Sequence, residues 1–304
     1  INTNFNYLTE ENSPERYGQL SDKFAHEIFK SPPYDGILVS YASVHGAKNG
    51  SRYSQSQRFK LMREGAQDFF RIAKNNNQDF PFIGDCGSYS YIKKKKPPIT
   101  TTELIDFYNK CRFTYGVSPD HIILEKNKLW DSKNVRPNHI TSRAEITLSL
   151  AKEFLHKCRE NNETFIPIGV IQCWSPKSAV HYANKLIEVG YNYIGLGGIT
   201  TRPTDEIIEI ISELRTQIPN TIQIHLFGFN RINRLDEFHG YDITSFDSTS
   251  PILKSFKDAK NNYFSKDNKH YTALRVPSLV EKNIKRKIES GLLKQNIIAD
   301  IESR

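Results

Sequence analysis

Residues 165–198 read FIPIGVIQ, then CWSPKSAVHYANKLIEVG, then YNYIGLGG. The first and third runs are apolar at most positions and do not alternate. Strands buried on both faces read this way. The middle run carries helix signals at both ends. Ser175 stands as a cap, Pro176 occupies the first helical position and Gly190 is the stop. Ala179, Tyr182, Ala183, Leu186 and Ile187 form one apolar stripe at helical spacing. Strand, helix and strand in such close succession predict two parallel strands joined by a crossover helix.

The same alternation extends in both directions. GILVSYA from Gly36, FPFIGD from Phe80 and DHIILE from Asp120 precede it, and TIQIHLFG from Thr221 and DITSFD from Asp242 follow. YTALRV from Tyr271 is an eighth strand candidate. TTELIDFYNKC and TSRAEITLSLAKEFLHKC open on threonine with helical periodicity behind, and Pro203 opens PTDEIIEIISELRTQI. About eight strands alternating with helices predict an α/β chain folded as a closed (β/α)8 TIM-type barrel. A doubly wound open sheet is the alternative. The expectation is a single domain over residues 1–304, with a C-terminal helical extension from about 278 to 304. Asn127–His139 and the KKKKPP run from Lys93 to Pro98 read as loop insertions.

Composition narrows the classes. With 38% apolar and 25% charged residues among 304, the chain has material for a sizeable core. No stretch approaches the roughly eighteen apolar residues of a membrane-spanning helix, and the N-terminal residues lack the apolar core of a signal peptide. A cytoplasmic protein is expected. The net charge of +8 favours a polyanionic partner. The four cysteines, Cys86, Cys111, Cys158 and Cys173, have no C-x-x-C spacing. They read as reduced thiols, and no metal is assigned.

In a barrel of this kind the active site is built where the strands end. Asp85, Asp120 (or Glu125), Gln172, Gly197, Gly198, Gly228 and Asp247 stand at those ends. Asp85, in GDCGSYSY, suits either an Asx-turn or chemistry. Asp247, in SFDSTSP, suits either a helix cap, with Ser248, Thr249 and Ser250 as rival caps, or a carboxylate held out to react. Two carboxyl groups about a glycosidic bond divide the work: one attacks the anomeric carbon and the other protonates the leaving group. Gln172 either bonds backbone or meets the edge of a nucleobase, since an amide donates and accepts together. Cys173 and Trp174 are either a stacking wall or ordinary packing.

Six short motifs in order, GDCGSYS, GVSPDH, VIQCW, YIGLGGI, HLFGF and SFDSTSP, resemble the tRNA-guanine transglycosylase superfamily. The wording of SFDSTSP and YTALRVP is most similar to its DNA-modifying branch, the DpdA-type DNA 7-deazaguanine transglycosylases. The resemblance implies a pentosyltransferase that exchanges guanine in DNA for a 7-deazaguanine base such as 7-cyano-7-deazaguanine (preQ0). It implies Asp247 as the nucleophile and Asp85 as the general acid/base. Asp120, Gln172, Gly197, Gly198 and Gly228 would bind the base. The target nucleotide would be flipped from the stack. No cofactor is expected, because one glycosidic bond is swapped for another. Cys173 and Trp174 replace the glycines that follow the family's glutamine, and no cysteine follows Cys173. The zinc subdomain of the tRNA enzymes is therefore expected to be absent or outside this sequence, which ranks DNA above tRNA as partner. Helper proteins are possible partners. The alternative in another class is a non-catalytic nucleic-acid-binding barrel. For phosphate contacts the candidates are Lys93, Lys94, Lys95, Lys96, Arg231, Lys254 and Lys257, with ordinary solvated surface as the competing reading.

Overall fold

The computed structural model describes residues 5–6, 11–12, 24–29, 32–46, 52–72, 80–250, 262–264, 269–272 and 289–291. The chain divides into two units, Ile1–Asp247 and Ser248–Arg304. The first holds a curled sheet of seven parallel strands arranged in chain order. They are β1 (Ile37–Ser40), β2 (Phe82–Asp85), β3 (Tyr115–Val117), β4 (Ile166–Ile171), β5 (Tyr193–Leu196), β6 (Gln223–Leu226) and β7 (Ser245–Phe246). Helices α1 (Gln55–Glu64), α2 (Thr101–Cys111), α3 (Asn138–Glu160), α4 (Pro176–Val189) and α5 (Thr204–Gln217) fall between successive strands from β1 to β6. The result is an α/β half-barrel.

Local chemistry sets the helix ends. The Ser175 hydroxyl accepts from the Ser178 N–H, and Gly190 closes α4 at φ 106°. Thr100 and Glu103 cap α2 reciprocally: the Thr100 N–H donates to Glu103 Oε2 at 2.8 Å and the Glu103 N–H to Thr100 Oγ1 at 3.2 Å. Each such cap contributes about 1 kcal/mol. Pro203 sits one place earlier than expected, as the cap of α5.

Strand periodicity sorts the side chains. Ile171, Ile194, Leu196, Ile224 and Leu226 join the core formed with α3, α4 and α5. On the concave face Val117, Ile168, Val170 and Tyr193 cluster with Ile83, Tyr115 and Phe227. Successive strand residues face opposite ways. Asp85 therefore follows Ile83 onto the concave side, Gln172 follows Val170, and Asp247 follows Ser245.

Three expectations are corrected. Asp120 does not open a strand: β3 ends at Val117, and residues 118–127 carry no regular structure. Ile122 and Ile123 are apolar because they are buried, and side chains serve the backbone instead of a ladder. Thr147 Oγ1 accepts from the His121 N–H at 2.9 Å, and Arg143 Nη1 donates to the Ile122 carbonyl at 2.8 Å. Second, Tyr271 is not in the parallel sheet. It pairs antiparallel with Tyr263, so the sheet has seven strands among the described residues and does not close through Tyr271. A partner eight residues away is reached with a short, low-entropy loop. Third, the insertion from Asn127 to His139 is partly helical. It holds a 3-10 turn over Lys128–Asp131, and α3 begins at Asn138. The expected C-terminal extension lies outside the described residues, apart from 289–291. Among the described residues no helix is long and apolar enough to cross a membrane.

Candidate active site

Asp85 ends β2. Its Oδ2 accepts the Gly87 N–H at 2.8 Å, which is the Asx-turn geometry. Gly87 takes φ 80°, and a Cβ there would lie 2.3 Å from Ser40 Oγ, so only glycine fits. The turn does not exclude chemistry. Burial pushes the Asp85 carboxyl up to about 7, and the charges of Asp120 and Asp247 push the same way; the Gly87 and Cys86 N–H groups oppose them. A carboxyl poised there can both give and take a proton at neutral pH.

Asp120 is 3% exposed. Its two oxygens are separately engaged: Cys86 Sγ donates to Oδ1 at 3.1 Å and Gln172 Nε2 to Oδ2 at 2.7 Å. The Tyr91 hydroxyl lies 3.0 Å from Cys86 Sγ and 3.1 Å from the Asp120 carbonyl. Burial raises the Asp120 carboxyl above the usual range, against the hydrogen bonds from Cys86, Gln172 and Ser88. The Cys86 thiol is also pushed up, chiefly by burial and then by the carboxylates of Asp120 and Asp85, so it stays protonated and remains a donor.

Gln172 uses both ends of its amide within the protein. Its Oε1 accepts the Ile123 N–H at 2.9 Å while its Nε2 meets Asp120. Gly197 and Gly198 wrap this amide. A Cβ at Gly197 would stand 2.2 Å from Gln172 Nε2, and one at Gly198 2.2 Å from the Ile123 carbonyl oxygen. Asp120, Gln172, Gly197 and Gly198 are thus one packed unit.

Asp247 follows β7 directly, and its side chain is 26% exposed. It does not cap the next turn among the described residues. Instead Oδ1 accepts the Gly228 N–H at 2.8 Å and His225 Nε2 at 3.3 Å, while the Ser248 hydroxyl takes the Ser250 N–H. Gly228, at φ 64°, is placed beside this carboxylate, with its N–H turned onto it.

His225, Ser245 and Tyr193 were not singled out from the sequence. His225 is fully buried; its Nδ1 lies 2.5 Å from Ser245 Oγ, which lies 2.6 Å from the Tyr193 hydroxyl. The available signal was strand periodicity. Ile224 and Leu226 face the helices, so His225 faces inward, in register with Gly195 on one side and Ser245 on the other. Cys173 and Trp174 resolve as packing. Both are buried, and Trp174 Nε1 donates to Asp131 Oδ1 at 3.0 Å with Arg136 4.1 Å above its ring.

Lys93, Lys94, Lys95 and Lys96 are all exposed, and no ion pair reaches them among the described residues. Their backbone is held from below. His121 Nε2 donates to the Lys94 carbonyl at 2.8 Å, and Arg143 Nη2 to the Ile92 carbonyl at 2.8 Å. Arg231 is turned inward, onto Asn230 and the Arg202 carbonyl. Lys254 and Lys257 lie outside the described residues. The four cysteines are buried and free, and among the described residues no group of three or more His, Cys, Asp or Glu is arranged to hold a metal.

Fold and site together define a class: an α/β half-barrel protein with two strand-end carboxylates in different surroundings. No family model matches the chain. It is 36% identical over 305 residues to the DNA-guanine transglycosylase of Salmonella montevideo, a match covering 99% of this chain and 72% of that protein. The chain belongs to the DNA-guanine transglycosylase family.

Proposed function

We propose that this chain removes guanine from DNA and installs a 7-deazaguanine base such as preQ0 through a covalent bond between Asp247 and the sugar. The guanine transglycosylase activity follows from the family. The observation that carries the mechanism is the contrast between two strand-end carboxyls. Asp85 is raised to about 7, whereas Asp247 is anchored through one oxygen and partly exposed.

In the first half, an Asp247 oxygen attacks C1′ and the C1′–N9 bond breaks. The electron pair goes to guanine, which takes a proton from Asp85. In the second half the incoming base gives its proton to Asp85 and attacks C1′, and Asp247 leaves. Two inversions retain the configuration of the sugar. Asp120 accepts from the N–H edge of the base, with Gln172 and the Gly197–Gly198 backbone beside it. The base reaches this pocket by leaving the duplex stack. Lys93 to Lys96 hold backbone phosphates, since four exposed lysines on a pinned loop suit a repeating anion. Work on cellular DNA, with thiols kept reduced, suits the cytoplasm.

The test is incubation with labelled guanine and either DNA or tRNA. Label should enter DNA. Faster labelling of tRNA would move the substrate to tRNA and leave the exchange chemistry standing.

A further inference from the structure

Asp247 offers two oxygens, and the structure treats them differently. Oδ1 receives the Gly228 N–H at 2.8 Å and His225 Nε2 at 3.3 Å. No hydrogen bond reaches Oδ2 among the described residues. A carboxylate only accepts, so the shared proton belongs to His225 Nε2. On the other side of the ring Nδ1 shares a hydrogen bond with Ser245 Oγ, which in turn shares one with the Tyr193 hydroxyl. The chain of bonds runs from Tyr193 through Ser245 and His225 to one oxygen of Asp247. Its members come from β5, β6 and β7, so the sheet itself fixes their spacing. His225 is fully buried, and its ring packs 4.4 Å from that of Phe227.

We propose that His225 is a positioning residue that assigns Oδ2 of Asp247 as the attacking oxygen and speeds the departure of Asp247 from the sugar. This rests on the reading of Asp247 as the nucleophile.

In the covalent state Oδ2 is bonded to C1′ and Oδ1 is the ester carbonyl oxygen. When the incoming base attacks C1′, the C1′–Oδ2 pair returns to the carboxyl group and charge spreads onto Oδ1. Donors already aimed at that atom stabilise the charge as it develops. In the first half the same donors face charge that is leaving, and they give no acceleration there. Losing His225 should therefore slow the second half more than the first. A well-aligned donor of this type is worth about 10²–10³ in rate. The bond from His225 is long at 3.3 Å, so about tenfold on the second half is expected.

The experiment follows two signals in one reaction: the denaturation-resistant protein–DNA adduct, and its decay when free guanine is added. With His225→Phe, adduct should accumulate during turnover and decay about tenfold more slowly than with wild type. His225→Gln, whose amide can donate to Oδ1, should recover part of the decay rate. Ser245→Ala keeps the ring and removes its Nδ1 partner, so it should shift decay in the same direction by less; it also serves if His225→Phe does not fold. Equal slowing of adduct formation and decay, with no recovery in His225→Gln, would reduce His225 to packing and overturn the proposal. Absence of any adduct with wild type would remove the nucleophile reading itself, and this inference with it.

Discussion

Asp85 and Asp247 are the same residue at similar places, one the last residue of its parallel strand and one just past it, both on the concave side of one sheet. Their surroundings differ. Asp85 is held through Oδ2 in a tight turn, and burial and two neighbouring carboxylates keep its proton on until about pH 7. Asp247 has no such turn; a glycine N–H and a buried imidazole hold one of its oxygens, and a quarter of its side chain meets solvent. Position along a strand chooses which residues converge. Neighbouring groups decide what each can do, and that division underlies the proposed assignment of one carboxyl to proton transfer and one to attack.

If the two carboxyls differ in this way, neutralising the proton carrier should have a large effect. Asp85→Asn should lower exchange by about 10²–10⁴. On the proposed mechanism, guanine release in wild type uses the protonated carboxyl and should fall as pH rises through about 7, while entry of the new base should fall below that pH. The variant should lose both limbs, and a pH series of single-turnover rates reads this out. The stability sign is opposite to that of an ion-paired aspartate. The folded value lies above the ordinary 3.8, so the fold binds the extra proton, and stability declines as pH rises from about 4 to about 7. Asp85→Asn should therefore raise Tm at pH 8 and give no gain at pH 3.5.

A smaller effect is expected where the contrast is with a carboxyl proposed neither to attack nor to carry the proton. Asp120→Ala leaves Gln172 Nε2 and the Cys86 thiol without their acceptor and removes the proposed partner for the base edge. Hydrogen bonds to a charged group contribute about 1.5–3 kcal/mol, so free guanine should bind roughly ten- to a hundredfold more weakly. Calorimetric titration measures it, and unchanged affinity would take Asp120 out of base recognition.

The smallest effect per residue is expected outside the carboxylate cluster. Replacing Lys93, Lys94, Lys95 and Lys96 by serine should weaken DNA binding evenly across sequences. It should also flatten the log–log salt dependence by about 0.9 for each phosphate that is no longer neutralised. Free guanine binding should not change. An unaltered salt slope would return the four lysines to ordinary surface.

Much of this was legible in the sequence because a strand buried on both faces must be apolar throughout, and a polar residue at its end stands out. Asp85, Gln172 and Asp247 stand out that way. The same rule misplaced β3. Residues 120–123 are as buried as a strand, but Thr147, Arg143, Tyr91 and Gln172 bond their backbone instead of a neighbouring ladder. That service comes from distant parts of the chain, which no local pattern reveals. His225 does not stand out at a strand end, because it lies within β6 and faces inward, in register with Ser245. Trp174 shows the opposite case: it is an aromatic beside a site glutamine, yet Asp131 and Arg136 bind it into the core.

Everything proposed for the two carboxyls depends on a bond between Asp247 and the sugar. Wild-type protein and Asp247→Asn should be incubated with a guanine-containing DNA duplex, denatured, and resolved for protein-linked DNA, with base exchange followed in parallel. Wild type should give a denaturation-resistant adduct that guanine chases away. The variant should give no adduct and exchange lower by about 10³-fold or more, with folding intact. Exchange near the wild-type rate in Asp247→Asn, or an adduct that persists in it, would show that Asp247 is not the nucleophile.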